Sequence, residues 1–371
     1  MPLYPVYALL FADSGLSAAQ ISALFVLWSA VGIVAEVPGG VWADRHSRRS
    51  AIAAAGVFQA GAYVLWIAWP TFTGFALGFA VWSIGGALSS GSEEALVHDG
   101  LAACGQEHRY ASVIGRMEAA SLAVQVPLAL LAGVLFEVGG YPLLGIASVL
   151  VCLSAAVLAT RLPEAPRPVV PDGEDEPGFL ETMRAGVGEA IGSAPVRAAA
   201  LAVAVFSGFD AIEEYFPLLA SEWGVPTGAV PAAMLAIPLA GAAGAVLAGR
   251  AMGLRARALT LAMLVGAAAL TAALVLGRPE GLAGVTLFYG IHRLVMVIAD
   301  ARLQARIEGG SRATVTSVAS LGSELVAIAL FVAWALGGLG LVILIAVVAA
   351  VTLGPRLSPS SPSAASRGRG R

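Results

Sequence analysis

Residues 40–49 read GVWADRHSRR and form a short charged turn between two long apolar stretches. Residues 17–43 hold one charged side chain, Glu36, and residues 50–92 hold none. A chain that crosses a membrane, turns in water and crosses back has this pattern, because a charge at the bilayer centre costs about 2.5–3.5 kcal/mol. The turn also places one acid, Asp44, among three arginines. Membrane topology explains the arginines but not the acid, so the sequence predicts a specific ion-pair contact at this turn.

The composition of the whole chain favours a membrane protein. Of its 371 residues, 58% are hydrophobic and 12% are charged, and the mean hydropathy is +0.85. A soluble domain carries about 25% charged residues. Apolar runs of about 20 residues, the length that crosses a bilayer as a helix, recur along the chain. These features predict an all-α polytopic membrane protein in contact with lipid. They argue against a soluble enzyme, and the net charge of −3 gives no case for a nucleic-acid partner.

The apolar runs divide into twelve predicted spans, in two sets of six. The first set forms a predicted bundle over residues 1–161, and the second a bundle over residues 194–356. Residues 162–193 are rich in Pro, Asp and Glu at their start and predict a solvated cytoplasmic linker with an amphipathic stretch. Residues 357–371, with Ser-Pro and Arg-Gly repeats, predict a disordered tail. The spans are 1–12, 18–43, 50–69, 71–99, 108–137 and 141–161, then 194–222, 227–250, 254–277, 280–306, 312–336 and 338–356.

The first predicted span is shorter than a bilayer requires. Twelve helical residues extend about 18 Å, against a hydrocarbon core of about 30 Å. Either the true start lies upstream of Met1, or the span is truly short.

The arginines predict the orientation. They cluster in alternate connections between spans, together with the charged turn, and the opposite side holds only Arg278. By the positive-inside rule the arginine-rich side is cytoplasmic. Both bundles then have the same orientation, and the C-terminus lies in the cytoplasm of a multi-pass protein of the cell (inner) membrane.

A weak internal repeat relates the two halves. Asp99, at the end of span 4, precedes Arg109 by ten residues, and Asp300, in span 10, precedes Arg312 by twelve. The turn at 249–257, GRAMGLRAR, follows span 8 as the charged turn follows span 2, with arginines but no acid. Two parallel six-helix repeats are one of the known transporter architectures.

The charged turn resembles the signature of the major facilitator superfamily, G-x-L-A-D-R-x-G-R-R/K between spans 2 and 3. Trp42 replaces the Leu and Ser47 replaces the second Gly, and neither change removes a charge. The resemblance implies the two-bundle fold of that family over residues 1–356. Two further family motifs are weak, since span 4 lacks the antiporter arginine and only Pro127 and Gly133 remain of the Gly-Pro motif in span 5. The resemblance also implies a conformational gate on the cytoplasmic side, made of Gly40, Asp44, Arg45, Arg48, Arg49 and the nearby acid Asp99.

Three acids in span 7 are candidates for coupling or substrate binding. Asp210, Glu213 and Glu214 are spaced i, i+3 and i+4, which puts them on one face of an α-helix. Counted from Arg197, they lie about 20–25 Å along the span, and crowded carboxylates favour uptake of a proton or a cation. The alternatives are a hydrated patch at the outer interface or an external gate contact.

Three more charged side chains lie within predicted spans. Arg293 of span 10 and Glu324 of span 11 are at comparable depth, so we expect an ion pair between them, with either a structural or a functional role. Glu118 in span 5 is a weaker candidate, since it is also placed to pair with arginines of the inner side.

The sequence therefore predicts secondary active transport of a small organic solute by alternating access. Export is the favoured direction, and H⁺ is the favoured coupling ion. The alternative is a transport-inactive membrane sensor or assembly partner. The sequence holds no phosphate-binding loop and no metal-ligand spacing, so we expect no cofactor, no metal and no enzymatic activity. We expect a monomer.

Overall fold

The structure is a computed structural model, and it describes residues 1–165, 194–307 and 312–357. The side chains of residues 44, 45, 194, 195 and 312–314 are outside that description. Every regular element in the described residues is helical. The α-helices are α1 (Tyr7–Asp13), α2 (Ala18–Arg45), α3 (Arg48–Ala68), α4 (Phe72–Ser89), α5 (Ser92–Ala103), α6 (Tyr110–Ala159), α7 (Ala194–Gly208), α8 (Phe216–Glu222), α9 (Val230–Met234), α10 (Ala236–Ala251), α11 (Ala256–Leu276), α12 (Leu282–Gln304) and α13 (Arg312–Leu353). Short 3-10 turns cover Tyr4–Val6, Glu107–Arg109, Phe209–Tyr215, Thr227–Ala229, Pro279–Gly281 and Gly354–Leu357.

The two longest helices are each kinked at one glycine. Gly140 in α6 has φ 60° and ψ −157°, and Gly338 in α13 has φ 58° and ψ −154°. Only glycine adopts this backbone conformation without strain. Each kink separates the last two predicted spans of its set, so a glycine kink lies at the same point of the predicted repeat in both halves.

Eight helical segments of the described residues are long and apolar enough to cross a membrane. Two of them, Glu107–Ala159 and Val315–Leu357, contain the kinks and each supply two predicted spans. Predicted spans 1 and 7 are not among the eight. The helix α1 has only seven residues, and residues 194–222 are interrupted by the 3-10 turn Phe209–Tyr215.

Local sequence fixes the ends of the helices around the charged turn. Ser47 has an extended φ of −156°, and its hydroxyl accepts the Ser50 N–H at the start of α3. This N-cap satisfies one of the unpaired amides of the helix end. Ser47 therefore needs no left-handed conformation, and the family's glycine is replaced here without strain. Gly91, with φ +68°, divides predicted span 4 into α4 and α5.

The described chain forms two compact units. Among the described residues, unit 1 comprises residues 1–165, 213–235 and 334–336, and unit 2 comprises residues 194–212, 236–307, 312–333 and 337–357. Along the sequence, the chain passes from unit 2 to unit 1 between Ile212 and Glu213, inside the 3-10 turn Phe209–Tyr215. The predicted bundles over 1–161 and 194–356 stay a prediction, and the predicted linker beyond 165 and the tail beyond 357 lie outside the described residues.

Candidate functional site

The charged turn contacts the helix that follows α4. One Nη of Arg48 at the start of α3 bonds to Asp99 and, at 2.8 Å, to the Ala95 carbonyl, both in α5. The Arg48 side chain is 19% exposed and Asp99 is 40% exposed, so the pair lies at the protein surface rather than in its core. This contact joins two of the predicted gate residues, and their gating role stays a prediction.

A second acid meets the turn from the far end of the first six spans. The Glu164 carboxylate accepts the backbone N–H of Arg48 at 2.7 Å and the hydroxyl of Ser47. The Nε of Arg49 lies 3.6 Å from the same carboxylate. Sequence reasoning assigned Glu164 to the linker and missed this role. The sequence carried one signal of this role, an acidic residue immediately after predicted span 6, on the cytoplasmic side where the charged turn is also predicted to lie.

Gly40, Asp44 and Arg45 lie in the last turns of α2. Gly40, Ala43 and Arg48 line a small open cavity with residues 90–92 and Ala95. The side chains of Asp44 and Arg45 are outside the described part of the structure, so their predicted ion-pair contacts stay predictions.

The three acids of predicted span 7 do not share one α-helical face. They lie in the 3-10 turn Phe209–Tyr215, where three residues complete a turn, so Asp210 and Glu214 point in different directions. The structure places Asp210 in unit 2 and the two glutamates in unit 1. The expectation of one shared face was therefore wrong, because it assumed an uninterrupted α-helix.

Asp210 forms a three-residue cluster with α12. Its carboxylate lies 2.9 Å from Nη1 of Arg293 and 3.1 Å from Nε2 of His292. Asp210 and Arg293 are 36% and 32% exposed, whereas His292 is fully buried. The carboxylate accepts an N–H from Nε2, and Nδ1 of His292 has no hydrogen-bond partner among the described residues. The contact found for Arg293 is with Asp210, and the predicted Arg293–Glu324 pair stays a prediction.

Glu214 is bound by two tyrosine hydroxyls from the start of the chain. Tyr7 donates to Oε2 of Glu214, and Tyr4 donates to Oε1 at 3.4 Å. Tyr7 is buried and Tyr4 is 43% exposed. No arginine or histidine within the described residues forms an ion pair with Glu214. The carboxylate is therefore held by neutral donors.

Stacked aromatic rings support these two tyrosines. Tyr4 stacks on Trp82 with ring centres 6.4 Å apart, Trp82 stacks on Trp66 at 5.6 Å, and Trp66 stacks on Tyr7 at 5.4 Å. We call these four residues the aromatic stack. Trp66 is 1% exposed, so the stack is anchored in the core of unit 1 and ends at the exposed ring of Tyr4.

The next residue, Tyr215, connects the same region to two other elements of unit 1. Its hydroxyl shares a 2.7 Å hydrogen bond with Ser22 of α2, and its ring stacks on Trp334 at 4.0 Å. Sequence reasoning missed Tyr4, Tyr7 and Tyr215 as partners of this region. Two tyrosines near Met1 give no signal of a contact more than 200 residues away.

The remaining predicted site residues, Glu118 in α6 and Glu324 in α13, have exposed side chains. Their roles stay predictions.

In unit 2, Arg302 of α12 binds three backbone carbonyls. Its guanidinium donates to Leu357, to Met252 at 3.1 Å and to Leu254 at 2.5 Å. Arg302 is 5% exposed. It joins the C-terminal 3-10 turn to the turn after α10, which is the position equivalent to the charged turn in the repeat.

The helices, the repeat and the buried polar contacts define a polytopic helical membrane protein built from two related halves. The family model of the Major Facilitator Superfamily matches residues 1–343. The chain belongs to this superfamily.

Solved structures show the same fold. A bacterial homologue of the human lysosomal transporter Spinster, inward-facing and unoccupied, matches with a TM-score of 0.72 and 16% identity over 98% of this chain and 95% of that chain. A variant of the nucleoside transporter NupG matches with a TM-score of 0.72 and 11% identity over 96% and 94%. A D-xylose-proton symporter matches with a TM-score of 0.66 and 15% identity over 95% and 91%. A search of the curated proteins finds no match.

The family and these neighbours make the chain a multi-pass membrane protein of a solute-transporter family. The neighbours are transporters rather than enzymes.

Proposed function

We propose that this chain exports a small organic solute by secondary active transport and couples that export to H⁺. The observation that carries the proposal is the Glu214 carboxylate, bound by Tyr4 and Tyr7 and one residue away from the chain boundary between the two compact units. Glu213 and Asp210, on either side of that boundary, are the further coupling candidates.

The chemistry of this carboxylate suits a protonation switch. The charged form accepts from both hydroxyls, whereas the protonated form carries a donor of its own and matches two donors less well. Hydrogen bonds to a charged group contribute about 1.5–3 kcal/mol, and those between neutral groups about 0.5–1.5 kcal/mol. Protonation of Glu214 therefore weakens the attachment of residues 213–235 to the rest of unit 1. A weakening of about 1.4 kcal/mol changes a two-state population about tenfold.

The second element of the proposal is the cytoplasmic gate. Gly40, Asp44, Arg45, Arg48 and Arg49 of the charged turn, with Asp99, bias one access state. The Arg48–Asp99 contact supports this role, as does the bond from the Arg48 backbone to Glu164. The arginine distribution supports a C-terminus in the cytoplasm and a location in the inner membrane. We propose a monomer as the transporting unit.

Metabolite profiling tests the transport proposal, because it detects any exported solute whatever its identity. Host cells carry an empty vector or express either the wild-type chain or Asp44→Asn at equal membrane abundance, and the medium and the cytosol are profiled. We expect at least one small organic solute to be enriched in the medium of the wild-type cells alone. Identical profiles of the wild-type and empty-vector cells would favour the transport-inactive sensor or assembly partner.

Proton coupling is tested with the solute so identified. Vesicles that contain the purified protein and a trapped pH dye should show H⁺ movement when the solute moves. The double change Glu213→Gln with Glu214→Gln should flatten the pH dependence of solute movement, whereas Glu222→Gln, an exposed acid in α8, should leave it unchanged. An unchanged profile in the double variant would remove these acids from the coupling mechanism.

A further inference from the structure

We propose that unit 2 carries a binding site for an anionic phospholipid, formed by the turn after α10 and the C-terminal 3-10 turn. The headgroup phosphate is contacted by three exposed arginines, Arg255, Arg257 and Arg356. The acyl chains are contacted by Met252 and Leu254. We call these five residues the arginine patch. The inference requires the membrane location of the chain but neither its transport activity nor its coupling to H⁺.

One buried guanidinium holds the two turns of the patch next to each other. Arg302 is 5% exposed, and it donates to two carbonyls of the turn after α10, including that of Leu254, and to the carbonyl of Leu357. Arg255 follows Leu254 in the chain, and Arg356 precedes Leu357. The Cα atoms of Arg255 and Arg356 are therefore at most about 17 Å apart. Two extended arginine side chains can close on one phosphate group across such a gap.

The arginines of the patch have no acidic partner in the described part of the chain. None of the three forms an ion pair there, and residues 249–257 contain no acid. Asp300 of α12 lies two residues before Arg302, and residues two apart do not face each other on a helix. The patch therefore presents a net positive charge, and a guanidinium matches a phosphate with two parallel hydrogen bonds.

The equivalent turn of unit 1 uses its arginines differently. Arg48 bonds to Asp99 in α5, and Nε of Arg49 lies 3.6 Å from the Glu164 carboxylate. Both of these arginines are thus paired with acids of the chain itself. The arginine patch lies at the same point of the repeat without such acids, so its counter-ion comes from outside the protein.

The apolar side chains of the patch favour a lipid over a soluble anion. Met252 and Leu254 are each 38% exposed, although their carbonyls are bonded to the buried Arg302. They directly follow the segment Thr227–Ala251, which is long and apolar enough to cross a membrane. Basic and apolar side chains that alternate at a membrane surface place the charges at the headgroups and the apolar groups at the acyl boundary. A soluble phosphate compound would use only the arginines.

Membrane topology alone does not account for this surface. The positive-inside rule places basic residues in the connections on one side of the membrane. It requires neither two connections joined by one guanidinium nor exposed apolar side chains among the arginines. These two features are what a bound phospholipid uses.

Native mass spectrometry of the purified full-length protein in detergent tests this inference, because it resolves each bound lipid by its mass. The probes are phosphatidylglycerol and phosphatidylcholine with identical acyl chains, which differ in net charge. We expect the first phosphatidylglycerol to bind at least about tenfold more tightly than the first phosphatidylcholine. An excess of inorganic phosphate at constant ionic strength should leave lipid binding unchanged, because it lacks acyl chains.

Paired variants assign the preference to the patch. Arg255→Gln with Arg356→Gln should weaken phosphatidylglycerol binding about 25-fold, since each arginine near the membrane surface contributes about fivefold. The matched control is Arg109→Gln with Arg116→Gln, two exposed arginines of unit 1, and it should change the affinity less than about twofold. Thermal unfolding checks that each variant is folded. If the double variant of the patch fails to fold, each single variant should still weaken binding about fivefold.

Equal affinities of the wild-type protein for the two lipids overturn the inference. A folded patch variant that keeps the wild-type preference, or a control variant that loses as much affinity as the patch variant, also overturns it, because the preference would then come from basic charge in general. Displacement of phosphatidylglycerol by inorganic phosphate would show a site for soluble phosphate and overturn the assignment to a lipid.

Discussion

Tyr7→Phe removes one hydroxyl and keeps the ring. The Tyr7 ring stacks on Trp66 at 5.4 Å and meets Phe11 at the same distance in an edge contact, so phenylalanine should keep this packing. The change leaves Oε2 of Glu214 without its tyrosine donor. A hydrogen bond to a charged group contributes about 1.5–3 kcal/mol. We therefore expect unit 1 to lose about 2 kcal/mol, which is a factor of about 30 in an equilibrium constant.

The assay is thermal unfolding of the purified protein in detergent, with Tyr63→Phe as the matched control. Tyr63 is buried in the same aromatic region, and its hydroxyl meets only the sulfur of Met1 at 3.3 Å among the hydrogen bonds of the described residues. A loss of about 2 kcal/mol lowers the midpoint of a unit of this size by about 4–8 °C. Tyr63→Phe should lower it by less than about 2 °C, because a thioether is a weak acceptor.

The pH dependence makes this prediction specific to the carboxylate. A neutral carboxyl group gains only about 0.5–1.5 kcal/mol from such a bond, so the difference between wild type and Tyr7→Phe should shrink as the pH falls and Glu214 takes up a proton. Equal midpoints for Tyr7→Phe and Tyr63→Phe, or a difference that does not change with pH, would refute the argument that a charged Glu214 holds this segment.

Three further changes test other parts of the molecule. Asp44→Asn should abolish solute export at normal membrane abundance, measured as solute in the medium; wild-type export would refute the gate. Arg302→Lys should lower the stability of unit 2 by about 2 kcal/mol, because an ammonium cannot reproduce the fork of the guanidinium; the control Arg250→Lys, an exposed arginine in the last turn of α10, should have little effect in thermal unfolding. A double-mutant cycle on Asp210 and Arg293 should give a coupling of about 1 kcal/mol, since both side chains are one-third exposed; zero coupling would contradict their pairing.

The sequence predicted the helices well because their signal is local. Apolar length and charged turns each lie within a few residues of the feature that they determine. The 3-10 turn Phe209–Tyr215 was not predicted, although Gly208 precedes it and Pro217 follows it. Pro217 lacks an N–H for the Glu213 carbonyl and therefore disfavours a continuous α-helix through this turn. The two ends of the turn also bind different partners, His292 and Arg293 on one side and Tyr7 on the other, and no pattern in the sequence signals these partners.

The same limit applies to the candidate site. The spacing of Asp210, Glu213 and Glu214 identified a region with unusual charge, because acids within an apolar span are rare. It could not identify the neutral donors of Glu214, because tyrosines are common in membrane proteins and carry no charge pattern. Likewise, Arg302 was counted only as a cytoplasmic arginine, although its three carbonyl partners make it a structural brace.

The two halves of the repeat solve one structural problem with opposite arrangements of charge. In unit 1 the cation lies in the charged turn, as Arg48, and its partners Asp99 and the Ala95 carbonyl lie in α5. In unit 2 the cation lies in the helix, as Arg302, and its partners Met252 and Leu254 are carbonyls of the equivalent turn. A carboxylate on a side chain can move away from its arginine or pair with another cation, whereas a backbone carbonyl is fixed by the main chain. The contact in unit 1 is thus suited to switching and the contact in unit 2 to permanent bracing, which supports a gate in the half that carries the charged turn.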